Sequence, residues 1–142
     1  MTDSSLLQES LTRSVIGAFY AVYNGLGFGF LEQLYSMALE QELIMQGHRV
    51  TREFPVVVKY KSHEIGQHRL DMVIDGCLVI EIKSTRVLSE LAPRQLLNYL
   101  RCTELEVGLL LHFGPQPRFY RSIYENALKS STGHPRRSVQ SV

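Results

Sequence analysis

Residues 70–83, Leu-Asp-Met-Val-Ile-Asp-Gly-Cys-Leu-Val-Ile-Glu-Ile-Lys, constrain this chain more than any other stretch. Two runs alternate apolar and polar residues at period two and are joined at Asp75-Gly76, the signature of a β-hairpin. The apolar sets are Leu70, Met72 and Ile74 on the first run and Leu78, Ile80 and Ile82 on the second. A two-residue loop would set Leu70 against Glu81 and mix the faces. One extra loop residue pairs 74 with 78, 72 with 80 and 70 with 82, which gathers all the apolar side chains on one face. That register sets Asp71 opposite Glu81, with Lys83 two residues further along the same face. Opposed residues have Cβ atoms roughly 5 Å apart, and like charges so placed destabilise a sheet. Two readings of the patch follow. It is either a solvated face with a Glu-Lys pair, or a site where a divalent cation offsets the repulsion, and Asp and Glu oxygens suit Mg2+.

At 142 residues the chain is expected to form one domain, residues 1–129, followed by a disordered tail, 130–142, that lacks apolar periodicity. With 44% hydrophobic and 20% charged residues the composition is that of a globular protein. It contains no apolar run of membrane-spanning length, and its first residues do not read as a secretion signal. A cytoplasmic protein is the expectation, with no membrane partner. Cys77 and Cys102 have neither zinc-site nor disulfide-framework spacing and read as buried free thiols. The formal net charge of +1 excludes a globally basic nucleic-acid binder. Locally, Lys59, Lys61, His63, His68 and Arg69 precede the carboxylates and Arg86, Arg94 and Arg101 follow them, so positive potential flanks the acidic patch.

In chain order, Leu7, Leu11, Val15, Phe19 and Val22 predict a core helix from Ser5 to Asn24, with Ser5 and Gln8 as a capping box. Gly25, Gly27 and Gly29 alternate in the turn that follows, and read as an interhelical connection rather than a phosphate cradle. A second helix is expected over residues 30–46, with Glu32 in its first turn, where the helix dipole favours a carboxylate, and Tyr35 on the same side. Residues 49–60 predict a strand whose Pro55 argues for an edge position or a bulge, and 61–66 a turn or short irregular stretch before the next strand begins near Gln67. Pro93 suits the first turn of a helix to Thr103, which places Gln95 and Tyr99 on one side. Residues 107–113 form an unbroken apolar run, as in a strand buried on both faces. Residues 118–124 predict a last strand or short helix. The sum is an α/β (α+β) fold, a mixed β-sheet flanked by helices.

Three motifs resemble one family. Asp71 followed by Glu81-Ile82-Lys83 looks like the signature of the PD-(D/E)XK nuclease superfamily, with Leu70 where the signature has proline. Gln95-Leu96-Leu97-Asn98-Tyr99 is similar to the Q-x-x-x-Y element of part of that superfamily, and Gly29, Glu32 and Tyr35 match the pattern that names its GxxExxY branch. The resemblance implies a restriction-endonuclease-like sheet with an α-β-β-β-α-β core and an extra N-terminal helix. It implies that Asp71, Glu81 and Glu32 bind Mg2+ or Mn2+, that Lys83 positions or activates water, and that Tyr35, Gln95 and Tyr99 support the site or contact nucleic acid. The implied activity is metal-dependent hydrolysis of phosphodiester bonds, with DNA as the partner. One departure stands out: the branch commonly carries a histidine two or three residues before the glutamine, where this chain has Ala92 and Pro93. That departure and the near-neutral charge support an alternative, a catalytically weak or inactive module that binds nucleic acid or protein. The small size and a hydrophobic sheet edge are compatible with a homodimer.

Overall fold

The computed structural model describes residues 8–129; the expected capping residue Ser5 and the tail 130–142 lie outside them. Two helices come first, α1 (Glu9–Leu26) and α2 (Glu32–Met45). Strands β1 (Val50–Tyr60), β2 (His63–Ile74) and β3 (Leu78–Lys83) follow, then α3 (Leu91–Arg101), β4 (Val107–Phe113) and β5 (Pro117–Ile123). The sheet order is β1-β2-β3-β4-β5, antiparallel throughout except for the parallel β3/β4 pair that flanks α3. The architecture agrees with the expected mixed sheet, and residues 117–123 take the strand alternative.

Helix packing on both faces explains the uninterrupted apolar run of β4, which is buried along its whole length. On one face α1 and α2 pack Val15, Phe19, Leu39 and Leu43 over Met72, Ile80, Leu109 and Leu111. On the other α3 packs Leu96 and Leu100 over Val73, Val79 and Leu110. Gly108 permits that second layer to sit close, since a Cβ there would lie 3.0 Å from Leu96 Cδ1. Truncating the fully buried Leu100 would leave a void costing about 2–5 kcal/mol. No helix among the described residues is long and apolar enough to cross a membrane. Both cysteines are free and half-buried.

Pro55 lies on an edge strand, as a residue without an N–H requires. The connection 61–66 is shorter than its sequence suggests: Lys61 and Ser62 both take left-handed φ, 49° and 68°, and make a tight turn, so β2 begins at His63. In the central hairpin Ile74 pairs with Leu78 and Met72 with Ile80, the register required by the apolar faces. The ladder then stops. Leu70 does not join Met72 and Ile74 but belongs to the layer beneath α3. In the neighbouring strand Glu53 takes φ 53° between the pairs Arg52/Met72 and Phe54/Leu70, beside Asp71.

Candidate active site

Where β2 and β3 part, side chains take over the hydrogen bonds of the ladder. Asp71 N–H donates to Glu81 Oε1 at 2.8 Å, and Ile82 N–H donates to Asp71 Oδ2 at 2.6 Å. The two carboxylates therefore meet as expected, but across an opened seam rather than as a paired rung. Each holds the other strand's backbone. Burial raises the pKa of Asp71, assisted by the negative charge of Glu32 and opposed by the Ile82 N–H and by Lys83. Burial likewise raises that of Glu81, with the Asp71 charge as the second cause. The charged forms of both groups are thus disfavoured by low polarity and mutual repulsion, an arrangement concentrated at functional sites.

Glu32 opens α2, and its Oε2 accepts the N–H of Ser84 at 3.1 Å, just beyond the end of β3. The helix therefore crosses the sheet at the site, which spacing alone left undecided. Lys83 ends β3 half-buried, and its charge acts on Asp71. Tyr35 lies wholly inside the core, stacked on Phe113 at 4.0 Å between centroids. Its hydroxyl donates to Gly27 O and accepts from Phe30 N–H, so it supports the loop before Glu32 instead of lining the site. Gln95 is exposed on α3, and its side chain makes no hydrogen bond among the described residues.

Tyr99 leads to a residue whose place in the site the sequence did not reveal. His68 on β2 stacks on the Tyr99 ring with centroids 3.9 Å apart and planes 3° from parallel. Its Nε2 lies 3.1 Å from Glu81 Oε2. An imidazole is therefore present at Glu81 although Ala92 and Pro93 occupy the positions where α3 would supply one. His68 belongs to the basic cluster before the carboxylates. Nothing in its spacing separates it from the exposed His63, because its contact depends on the strands parting. Burial, with the Glu81 charge as a lesser cause, pushes the Tyr99 phenol up and keeps it a proton donor at neutral pH.

Among the described residues no three His, Cys, Asp or Glu side chains converge closely enough to hold a metal ion together. The donor set fits a smaller demand. A buried and a half-buried carboxylate that repel one another match Mg2+, which usually takes one or two carboxylates and completes its shell with water and phosphate. Glu32 and Asp71 also line a cavity of about 440 Å3 with Arg52 and Arg69, open to solvent beside the seam.

The pattern of the PD-(D/E)XK nuclease superfamily matches residues 9–123, and the chain belongs to that superfamily. A crystal structure of SSO0001 is similar in fold, with a TM-score of 0.51 and 23% identity. The match covers 83% of this chain and 60% of SSO0001, so the chain spans less than two thirds of that protein's length. No curated protein matches the chain.

Proposed function

We propose that the protein is a metal-dependent nuclease of the GxxExxY branch that hydrolyses phosphodiester bonds in DNA. The observation that carries this reading is the buried Asp71–Glu81 seam, with both pKa values raised by burial and by neighbouring negative charge, beside the half-buried ammonium of Lys83. Gly29, Glu32 and Tyr35 support the branch assignment. Asp71 and Glu81 would hold Mg2+ or Mn2+, and Glu32 extends the negative charge from α2. Bound there, the ion polarises a phosphoryl oxygen and lowers the pKa of a water.

The chain's own residues do the rest. Asp71 and Glu81 fix each other through backbone N–H groups, while His68, stacked on Tyr99, meets the outer oxygen of Glu81. Lys83 places positive charge where the phosphoryl oxygens gain negative charge in the transition state. The water oxygen gives up one proton and bonds to phosphorus as one ester P–O bond breaks, and the departing oxygen takes up one proton from solvent, so that water is added across the bond. A second reading, a binding module without turnover, is favoured by one observation: both oxygens of Glu81 are already engaged, by Asp71 N–H and by His68.

The test is incubation of purified protein with Mg2+ or Mn2+ and single-stranded, duplex and branched DNA, with RNA as a control. Cleavage of at least one DNA, abolished in Asp71→Asn and Lys83→Ala, is expected. Binding without cleavage under any metal favours the second reading. Cleavage indifferent to both substitutions overturns the site.

A further inference from the structure

The loop between α1 and α2 exposes two aromatic rings that its construction does not allow to hide. Gly27 and Gly29 take φ 74° and 112°, values that side chains resist, and the backbone between them and α2 is anchored at several points. Tyr35 Oη bonds Gly27 O and Phe30 N–H, and Ser84 Oγ donates to Phe30 O at 2.5 Å. Phe28 and Phe30 nevertheless remain 43% exposed each. They line a cavity of about 500 Å3 with Glu32 and Arg86. Glu32 also lines the cavity that contains Asp71, and Arg86 also lines a third, of about 470 Å3, with Arg118 and the half-exposed Tyr120. Shared residues thus join three cavities into one track. It starts at the carboxylates, passes two fixed phenylalanine rings and reaches two guanidinium groups and a tyrosine.

From this we infer that the track binds single-stranded nucleic acid, with unpaired bases stacking on Phe28 and Phe30 and phosphates meeting Arg86 and Arg118. Aromatic rings interleaved with cations are what sequence-tolerant single-strand binding uses. A duplex buries its base faces and offers nothing to these rings. Recognising a duplex through phosphates alone favours a strongly basic protein, and the net charge of this chain is only +1. Arg86 forms no ion pair with a carboxylate among the described residues, so its charge faces the track unneutralised. The inference rests on the nuclease reading for the meaning of the carboxylate end, but binding along the track needs no metal.

The experiment measures fluorescence anisotropy of labelled oligonucleotides of about 12 nucleotides, single-stranded or annealed to a blunt duplex, in EDTA. The single strand is expected to bind at least tenfold more tightly than the duplex. Phe28→Ala/Phe30→Ala should lose at least tenfold of that affinity, and Arg86→Ala should make the salt slope shallower by about 0.7. Phe28→Leu/Phe30→Leu keeps the apolar bulk but removes the stacking faces, and should lose affinity similarly while the thermal midpoint stays unchanged. Equal binding of single strand and duplex, or Leu variants that bind like the parent protein, overturns the inference. Aromatic-dependent binding without cleavage under any metal leaves the track standing and removes the nuclease reading. Cleavage that ignores both phenylalanines removes the track alone.

Discussion

The β2–β3 hairpin carries carboxylates at both ends, and the two ends treat them in opposite ways. At the closed end Asp75 lies in the turn, where its Oδ1 accepts Arg49 N–H at 2.8 Å and its Oδ2 lies 2.8 Å from His48 Nδ1. The Arg49 N–H is the main reason its pKa falls below the ordinary carboxylate range. At the open end Asp71 and Glu81 also accept backbone N–H groups, but burial and like charges outweigh them and both pKa values rise. Hydrogen bonding alone therefore does not decide the protonation of a carboxylate. At Asp75 the Arg49 N–H outweighs desolvation and no acidic group adds to it, whereas at Asp71 and Glu81 desolvation is the largest cause. The closed end stabilises the fold, and the open end holds an electrostatic conflict that a cation would relieve.

His48 Nε2 also lies 2.8 Å from Ser14 Oγ, which gives the closed end the outline of a Ser-His-Asp triad. Its surroundings make it a latch instead. Ser14 stands inside α1, where its backbone N–H belongs to the helix and cannot form part of an oxyanion hole. Its hydroxyl also donates to Gln46 Oε1 at 3.2 Å. The arrangement ties α1 to the hairpin turn.

The largest expected contrast between the two ends is catalytic. Glu81→Gln and Lys83→Ala should each lower DNA cleavage by about 10²-fold or more, whereas Asp75→Asn should leave it nearly unchanged. Comparable losses at both ends would erase the distinction. Next in size is the response to metal. Saturating Mg2+ or Mn2+ should raise the thermal unfolding midpoint of the parent protein and of Asp75→Asn, by an amount equivalent to about 2.7 kcal/mol at one hundred times Kd. Asp71→Asn and Glu81→Gln should lose that response. An equal metal response in all of these proteins would mean that the ion binds elsewhere.

How much of this contrast was legible follows from what each part depends on. The pairs 74/78 and 72/80 follow from apolar alternation, because a slip by one residue would expose a buried face. The break after Met72 does not, because it arises where carboxylates replace ladder hydrogen bonds and Glu53 takes a left-handed φ without any glycine to announce it. For the same reason the sequence failed to place Leu70 beneath α3 or His68 against Glu81. A turn within 61–66 was legible, but its tightness at Lys61-Ser62 was not, since neither residue is a usual marker of left-handed φ. Glu32 was visible as a first-turn carboxylate, but only the crossing of α2 over the end of β3 brings it to Ser84. Motifs named the candidate residues; the parting of two strands decides how Asp71 and Glu81 meet.

Smaller effects concern stability and have opposite signs at the two ends. Asp75→Asn removes a charged acceptor between Arg49 and His48 and should cost about 1 kcal/mol at pH 7. Glu81→Gln keeps an acceptor for Asp71 N–H while removing the buried one of two like charges, and should stabilise the metal-free protein by about 1 kcal/mol. Urea unfolding of the three proteins in EDTA measures both. Destabilisation by Glu81→Gln would show that the carboxylate is favourable where it stands and that the seam holds no conflict.

The finest discrimination is in the pH dependence of those two differences. Asp75 has a lowered pKa in the folded state, so near its ordinary value of about 4 the unfolded chain binds more protons. Its contribution is present above that range and is lost as the pH falls through the folded value, so the parent protein's advantage over Asp75→Asn should shrink below about pH 4. Asp71 and Glu81 have raised values, so in their window the folded chain binds more protons and stability falls as the pH rises. The advantage of Glu81→Gln over the parent should therefore be absent in acid, where both carboxyls are protonated, and should grow as the pH rises through the raised values to neutrality. One substitution loses its effect below the ordinary carboxylate range and the other gains its effect above it. Urea unfolding at pH 3, 5 and 7 separates them, and two differences that move in parallel with pH would show that the two ends of the hairpin are electrostatically alike.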